Sequence, residues 1–160
     1  MALRNIRKQP DPVLRQEAVS VNRFNERLHR LLDDMVETML EAEGVGLAAP
    51  QVGISKRVVV IKNEDKILEL INPEIIESAG EIVDIEGCLS FPGLYAEVPR
   101  FASVKVKGKD RCGKDFMLSA EGFLARVLQH EIDHLHGILF IDRALRFLSP
   151  EEINSAQKKG

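Results

Sequence analysis

The sequence predicts an α+β fold in which antiparallel β-sheets pack around a central α-helix. Two features of the chain lead to this prediction. Short runs of β-branched residues, separated by turn signals, fill the middle of the chain, which is typical of antiparallel hairpins. A later segment, Phe123 to His136, contains neither proline nor glycine, and its apolar residues recur at helical spacing.

Length and composition indicate one globular domain spanning residues 1–160. The net charge of −3 argues against a general nucleic-acid binder, and the 2 cysteines are too few for a disulfide framework. The sequence shows neither an apolar signal segment nor a run of membrane-spanning length. We therefore expect a cytoplasmic protein with no membrane partner and no specific nucleic-acid partner. We also expect a monomer, although none of these observations bears on the oligomeric state.

The first predicted helix runs from about Asn22 to Glu43, with apolar residues at helical spacing along its length. Asn22 is a plausible N-cap, and Gly44 ends the helix. This pattern is more typical of core packing than of a cofactor site. The loop Gly44 to Gln51 follows, built of small residues that allow a ligand or a second backbone to come close. Gln51 offers two N–H donors, although a helix end followed by a turn also explains most of this loop.

The predicted strands follow the loop. Val58 to Ile61 and Ile67 to Ile71 form an antiparallel hairpin across a polar turn. Apolar residues then alternate from Ile75 to Ile85 around Gly80, and further strand signals lie at Val104 to Val106 and Phe116 to Leu118. A short terminal helix is expected from Ser149 onward, with Pro150 at its first position.

The central helix is predicted to be buried over a wide arc. Ser119 can cap its start, and Gly137 can take the left-handed conformation that ends it. Its apolar residues form one stripe: Leu124, Leu128, Ile132 and Leu135. A second stripe beside it contains Val127, His130 and His134, with Glu131 between the two. The two histidines therefore face inward.

Two imidazoles one helical turn apart can hold one metal ion, with Glu131 within reach of a water on that ion. Such a pair can also arise by chance, and an inward histidine is often a hydrogen-bonded core residue. Burying a polar group without a partner costs roughly 2–7 kcal/mol, so three such groups on one helix favour a metal site. His136 falls on the outer arc, and Asp133 could either orient the His130 ring or face water.

A catalytic metal site usually has three protein ligands and an open position, so a third ligand is required. Phe140 stands where the metzincin pattern needs a histidine, which excludes that class. Glu151 and Glu152 could supply a downstream glutamate ligand, but both lie in a charged tail with little sign of burial. Cys88 is the better candidate, since it follows a strand pattern among glycines and a thiolate binds Zn²⁺ or Fe²⁺ well. By itself Cys88 could equally be a buried structural cysteine, whereas Cys112, among charged residues, is expected to be a free surface thiol.

Three stretches, Gly44 to Gln51, Glu86 to Ser90 and Gln129 to Gly137, together resemble the three signature motifs of the peptide deformylase family. Their order and spacing match as well, and Pro10 to Arg15 resembles the family's N-terminal segment. The uninterrupted spacing is similar to that of the compact bacterial form.

The resemblance implies roles for individual residues. It makes Cys88, His130 and His134 the metal ligands and Glu131 the general acid/base. It makes Gln51 and the backbone N–H of Leu89 the donors to the carbonyl oxygen. The remaining implied positions bind the substrate. Val45, Gly46 and Gly87 would pair with its backbone, and Glu86, Arg126 and Val127 would lie near the pocket for the methionine side chain.

The resemblance also implies an activity and a cofactor. The activity is removal of the formyl group from the N-terminal methionine of newly synthesised proteins, which releases formate. The metal implied is Fe²⁺, and Zn²⁺, Ni²⁺ or Co²⁺ suit the same ligands. The partners would be N-formylmethionyl nascent peptides near the ribosome exit.

Two alternatives remain on the sequence alone. One is a zinc-dependent peptidase of the H-E-x-x-H type, which would cut unformylated peptides internally. The other is a closed structural zinc site, which needs a fourth protein ligand. His29 and His136 are both expected to be exposed, so neither is a convincing fourth ligand.

Overall fold

The computed structural model describes residues 2–159, with side chains described up to residue 155. Four α-helices are present in this part of the chain: α1 (Glu26–Glu41), α2 (Gly122–His134), α3 (Phe140–Arg143) and α4 (Pro150–Lys159). Eight strands accompany them: β1 (Gly46–Ala48), β2 (Val58–Asn63), β3 (Lys66–Ala79), β4 (Ile82–Cys88), β5 (Phe91–Arg100), β6 (Ser103–Lys109), β7 (Asp115–Glu121) and β8 (Arg146–Phe147).

The strands form two antiparallel sheets. One has five strands in the order β1-β2-β3-β6-β7, and the other has three strands in the order β4-β5-β8. The β2–β3 hairpin predicted from the sequence is present, with Ile61 opposite Leu68. The prediction of an α+β fold with antiparallel sheets around a central helix is thus confirmed.

The five-stranded sheet lies between α1 and α2, and β2 shows why. Its residues Val58, Val59, Val60 and Ile61 are all fully buried. Val58 and Val60 belong to the core formed with α1, whereas Val59 and Ile61 belong to the core formed with α2. A strand covered on both faces reads as a continuous apolar run instead of an alternating one. Each of these side chains contributes about 1.5–3 kcal/mol on burial, so the sheet fixes the position of both helices.

The predicted start of the first helix was wrong by one turn. Asn25, not Asn22, accepts the hydrogen bond from the N–H of Leu28, at 3.1 Å, and the helix begins at Glu26. An asparagine three residues before a free N–H is placed to cap it, and Asn22 lies too early to do so. Beyond the helix, the Gly44 N–H donates to the Met39 carbonyl at 2.9 Å, so the chain turns directly toward β1.

The predicted cap of the central helix was also wrong. Ser119 lies within β7, opposite Lys105, because that strand continues to Glu121 and passes straight into α2 at Gly122. At the other end, α2 stops at His134 and a turn follows. Gly137 has φ of 70°, the left-handed conformation predicted for it. A Cβ atom there would lie 2.5 Å from the Arg15 carbonyl oxygen, so this position requires glycine.

The alternating run from Ile75 to Ile85 is divided between the two sheets. β3 ends at Ala79, Gly80 turns the chain with φ of 72°, and β4 begins at Ile82 in the smaller sheet. Alternation alone does not show where a chain leaves one sheet for another. The smaller sheet packs on α3 through Phe91, Val98 and Phe140, and this arrangement brings the end of β4 over α2.

Within the described residues, the structure contains no helix that is both long and apolar enough to cross a membrane.

Candidate metal centre and active-site cavity

Three potential metal ligands converge where β4 ends above α2. The helix places the rings of His130 and His134 with their centroids 5.2 Å apart, and the strand end brings the Cys88 Sγ to 3.4 Å from His134 Nε2. One ligand atom from each of these three residues lies within 4.8 Å of the other two. A thiolate with two imidazoles is a donor set suited to Zn²⁺ or Fe²⁺, so the three residues fit a single divalent ion.

Glu86 fixes the orientation of the His130 ring. An oxygen of Glu86 lies 2.8 Å from His130 Nδ1, and Arg100 donates two hydrogen bonds of 2.8 Å to the same carboxylate. Arg126 adds another at 2.6 Å. Burial disfavours ionisation of Glu86, but the hydrogen bonds and charges of Arg100 and His130 lower its pKa to about 2. An ionised Glu86 holds the ring proton on Nδ1, and this directs His130 Nε2 toward a metal.

The two histidines lie in different electrostatic environments. Burial disfavours protonation of His130, but hydrogen bonds with Cys88 and Glu86 and the charge of Glu131 raise its pKa to about 10. Burial, together with the charges of His130 and Arg100, lowers the pKa of His134 well below its ordinary value. His130 and His134 could hold a metal ion together, and binding of such an ion would require His130 to lose a proton, whereas His134 would already be neutral.

Glu131, unlike Glu86, lacks hydrogen bonds in the described part of the chain that would stabilise its ionised form. Its Oε1 atom is buried and lacks a hydrogen-bond partner among the described residues. Burial raises the pKa of Glu131 to about 7, aided by the charge of Glu86 and opposed by His130 and Arg100. A carboxyl group that titrates near neutrality can both take up and return a proton. The backbone of β1 lies against it, since a Cβ atom on Gly46 would be 2.6 Å from Glu131 Oε2.

The side-chain amide of Gln51 lies beside the cluster of Cys88, His130 and His134. Its Oε1 atom accepts a hydrogen bond from the Ala48 N–H at 3.0 Å. Its Nε2 atom donates to Ser90 Oγ at 3.1 Å and lies 3.5 Å from Cys88 Sγ. One N–H of this amide therefore points toward Cys88, and the other is bonded to Ser90.

A cavity of about 930 Å³ opens onto this centre. All six residues predicted to bind substrate line it: Val45, Gly46, Glu86, Gly87, Arg126 and Val127. Gln51, Cys88, Leu89, His130 and Glu131 line it as well. β1 and β4 are edge strands of their sheets, and both border the cavity. Tyr95 closes the space over Gly87, where a Cβ atom would lie 2.6 Å from the ring.

Both predictions for Asp133 were wrong. Its carboxylate pairs with Arg100 and with Arg143, each at 2.6 Å, so it neither contacts the His130 ring nor simply faces water. His29 is half-buried, not exposed, with its Nε2 atom 2.7 Å from the Arg111 carbonyl oxygen. His136 is exposed and pairs with Glu17, in agreement with its predicted outward position.

Sequence reasoning missed two residues of the site. Arg100 lies 14 residues after Glu86, and only the antiparallel pairing of β4 with β5 brings them together. Ser90 lies within the second motif, yet a serine in a turn is usually a capping or solvated residue. For Arg100, the one signal available in the sequence was the position of an arginine at the end of a strand with an apolar pattern. Cys112 was assigned correctly, because it is exposed in the turn between β6 and β7.

Comparison with known proteins assigns the chain to a family. The family model described as polypeptide deformylase matches residues 3–149. The chain belongs to the polypeptide deformylase family. A curated protein of Caldicellulosiruptor bescii named peptide deformylase is 54% identical over 160 residues, which cover 100% of this chain and 96% of that protein.

Solved structures of deformylases have the same fold. A peptide deformylase from Legionella pneumophila superposes with a TM-score of 0.86 at 47% identity, covering 98% of this chain and 92% of that one. The peptide deformylase from Thermotoga maritima gives a TM-score of 0.88 at 46% identity, covering 90% of this chain and 99% of that one. Membership of the deformylase family favours that interpretation over a zinc-dependent peptidase.

Proposed function

We propose that this protein is a metal-dependent peptide deformylase, an enzyme that removes the formyl group from the N-terminal methionine of newly synthesised proteins. The observation that carries the proposal is the convergence of Cys88, His130 and His134, with the unpartnered carboxyl of Glu131 beside them. In the reaction, water adds to the formyl carbon, the carbon–nitrogen bond breaks, and the nitrogen takes up a proton. The products are formate and a free N-terminal amine.

Cys88, His130 and His134 would hold the metal ion. Their donor set and mutual distances suit a divalent ion, and three protein ligands leave one position open. We assign Fe²⁺ as the metal in the cell, with Zn²⁺, Ni²⁺ and Co²⁺ able to take the same ligands. When bound, such an ion lowers the pKa of a coordinated water and polarises a carbonyl oxygen.

Glu131 acts as the general acid/base. Glu131 follows His130 directly in α2 and lines the cavity, and its buried Oε1 atom has no hydrogen-bond partner in the described structure. It accepts the proton of the attacking water and delivers it to the departing nitrogen. General acid/base catalysis of this kind contributes about 10²–10⁴ in rate.

Gln51 and the backbone N–H of Leu89 stabilise the negative charge that develops on the formyl oxygen. The Gln51 Nε2 atom lies on the side of Cys88, and Leu89 is the next residue in the chain. Each donor of this type is worth about 10²–10³ in rate.

The peptide backbone pairs with the free edges of β1 and β4, through Val45, Gly46 and Gly87. An extended peptide that adds a strand to an open sheet edge obtains affinity from main-chain hydrogen bonds that any sequence can make. The methionine side chain enters the part of the cavity bordered by Glu86, Arg126 and Val127. Arg126 also donates to the Glu86 carboxylate and to the Val98 and Ile82 carbonyls, so these acceptors hold its guanidinium and its aliphatic stem is left for an apolar side chain.

We place this activity in the cytoplasm, on nascent chains near the ribosome exit, with residues 1–160 acting as one catalytic domain in a monomer. Nascent chains near the ribosome exit present unfolded N-termini, and an unfolded segment can bind as an extended chain in the open groove between two sheet edges.

The direct test is formate release from formyl-Met peptides by protein of measured metal content. We expect metal-dependent release of formate, with no internal cleavage of the same peptides lacking the formyl group. Internal cleavage of unformylated peptides without formate release would instead support the zinc-peptidase alternative.

A further inference from the structure

We propose that Ser90 is a positioning residue for catalysis, and that its hydroxyl sets the plane of the Gln51 side-chain amide so that one N–H points at the reacting carbonyl oxygen. The inference rests on the proposed deformylase function and adds a residue to its machinery.

Two hydrogen bonds define the orientation of the Gln51 amide. The Ala48 N–H donates to its Oε1 at 3.0 Å, and its Nε2 donates to Ser90 Oγ at 3.1 Å. The first bond fixes which end of the amide is oxygen, because a flipped amide would set N–H against N–H. The second bond takes one of the two amide protons. The other proton is thereby held in the amide plane, where Nε2 donates it to Cys88 Sγ at 3.5 Å in the absence of substrate.

Backbone contacts hold both partners in place. The Gln9 N–H donates to the Ser90 carbonyl at 3.1 Å, and the Arg7 N–H donates to the Gln51 carbonyl at 2.6 Å. One short stretch of the N-terminal segment therefore braces the two residues whose side chains meet. Ser90 is fully buried and Gln51 is 1% exposed, so the structure shields both side chains from bulk water.

The orientation matters because an oxyanion donor works by being in place before charge develops. Without the Ser90 hydroxyl, the amide keeps its anchor at Ala48 but can rotate about the bond that carries it. The donor would then have to be aligned during the reaction. Binding of the peptide backbone at the sheet edges does not involve this amide, so substrate affinity should change little.

The main variant is therefore Ser90→Ala, which removes the hydroxyl and adds no bulk. We expect kcat to fall about 10-fold, less than the roughly 10²–10³ for losing the donor itself, with KM nearly unchanged. Ser90→Thr keeps the oxygen and should restore most of kcat. Ser149→Ala removes a serine that caps α4, far along the chain from the site, and serves as the matched control. Metal content and thermal midpoint are measured for every variant.

A double-mutant cycle separates positioning from a structural role. If Ser90 acts through Gln51, the Ser90→Ala change should cost nothing further in a Gln51→Ala background. If the two losses in kcat multiply, Ser90 acts independently of Gln51 and the proposal is overturned.

A second readout does not depend on activity. In the zinc-loaded protein, the side-chain NH₂ group of Gln51 gives two proton resonances, and the one bonded to Ser90 should shift when the hydroxyl is removed. Unchanged resonances in Ser90→Ala would overturn the proposal. Absence of formate release by the wild-type protein would refute the deformylase function, and these resonances would still decide whether Ser90 orients Gln51.

Discussion

The Nδ1 atom of His130 lies 2.8 Å from a carboxylate oxygen of Glu86, which reaches it from the neighbouring sheet. The family resemblance placed Glu86 near the methionine pocket, and the residue does line the cavity. Its carboxylate, however, is occupied by His130, Arg100 and Arg126. Glu86 therefore connects a proposed metal ligand to two buried arginines, and its contribution should be measurable as metal affinity.

Glu86→Gln is expected to weaken metal binding by about 10–100-fold, because the ring of His130 loses a charged partner. It should also destabilise the fold by about 3–5 kcal/mol, since Arg100 and Arg126 lose their shared counter-charge in a buried setting. Competition with a chelator measures the first effect and chemical denaturation the second. Glu97→Gln is the control, because Glu97 pairs with Arg146 near the surface, where such a pair is worth about 0–1 kcal/mol. Equal effects in the two variants would contradict the role given to Glu86.

Glu131→Gln should retain the metal and lose at least about 10²-fold in kcat, because the amide cannot take up the proton of water. The side chain keeps its size, so the fold should be preserved. Steady-state kinetics with metal analysis of the same sample provides the measurement. Glu81→Gln, in an exposed turn, is a matched control that should behave as wild type. Full activity in metal-loaded Glu131→Gln protein would exclude Glu131 as the acid/base.

The two cysteines should respond oppositely to substitution. Cys88→Ala removes one of three proposed protein ligands and should greatly weaken metal binding. Cys112→Ala changes an exposed thiol in the β6–β7 turn and should leave metal content and activity nearly unchanged. Metal analysis after gel filtration distinguishes them. If Cys112→Ala lost the metal and Cys88→Ala kept it, the ligand set proposed for the site would be wrong.

Gly46→Ala should impair catalysis through contact with Glu131. The added Cβ would meet Glu131 Oε2 at 2.6 Å, so either β1 or the carboxylate must move. A 1 Å displacement of a catalytic group can cost about 10²-fold, and we expect kcat to fall by about that factor. Gly93→Ala is a useful comparison because its Cβ would meet nothing within 4 Å, although φ of 78° adds backbone strain there. Unchanged kcat in Gly46→Ala would mean that Glu131 tolerates the shift.

The assignment of Fe²⁺ predicts sensitivity to air. Ferrous iron can be oxidised, and a cysteine ligand can itself be oxidised by peroxide, whereas zinc has no redox chemistry. Protein loaded with Fe²⁺ without oxygen should be highly active on formyl-Met peptides and then decay in air. The Ni²⁺ and Co²⁺ forms should last much longer, and the Zn²⁺ form should be stable but slow. Activity and metal content followed over time would test this, and an iron form as durable as the nickel form would exclude iron.

Local sequence patterns predicted the fold class, the inward-facing histidine pair and the family. The spacing of His130 and His134 follows from helix geometry alone, since residues four apart share a face whatever the rest of the fold does. Strand and hairpin signals gave the antiparallel sheets, and the three motifs indicated the family. These features depend on residues close in sequence, where period and turn chemistry carry the information. The starts of the helices were predicted less well, because several polar residues near a helix can cap it. The observed N-cap positions are Asn25 and Glu121, where the sequence had suggested Asn22 and Ser119.

Contacts between distant segments were decided only by the tertiary structure. Glu86 meets His130 across 44 residues, and Gln51 meets Ser90 across 39. Asp133 turns to Arg100 and Arg143 because the β4–β5 hairpin packs beside α2 and α3. No periodicity in the chain records which side chains face each other across two sheets and a helix. The sequence therefore indicated the groups that we propose bind and react, and the packing of the two sheets determined which groups orient them.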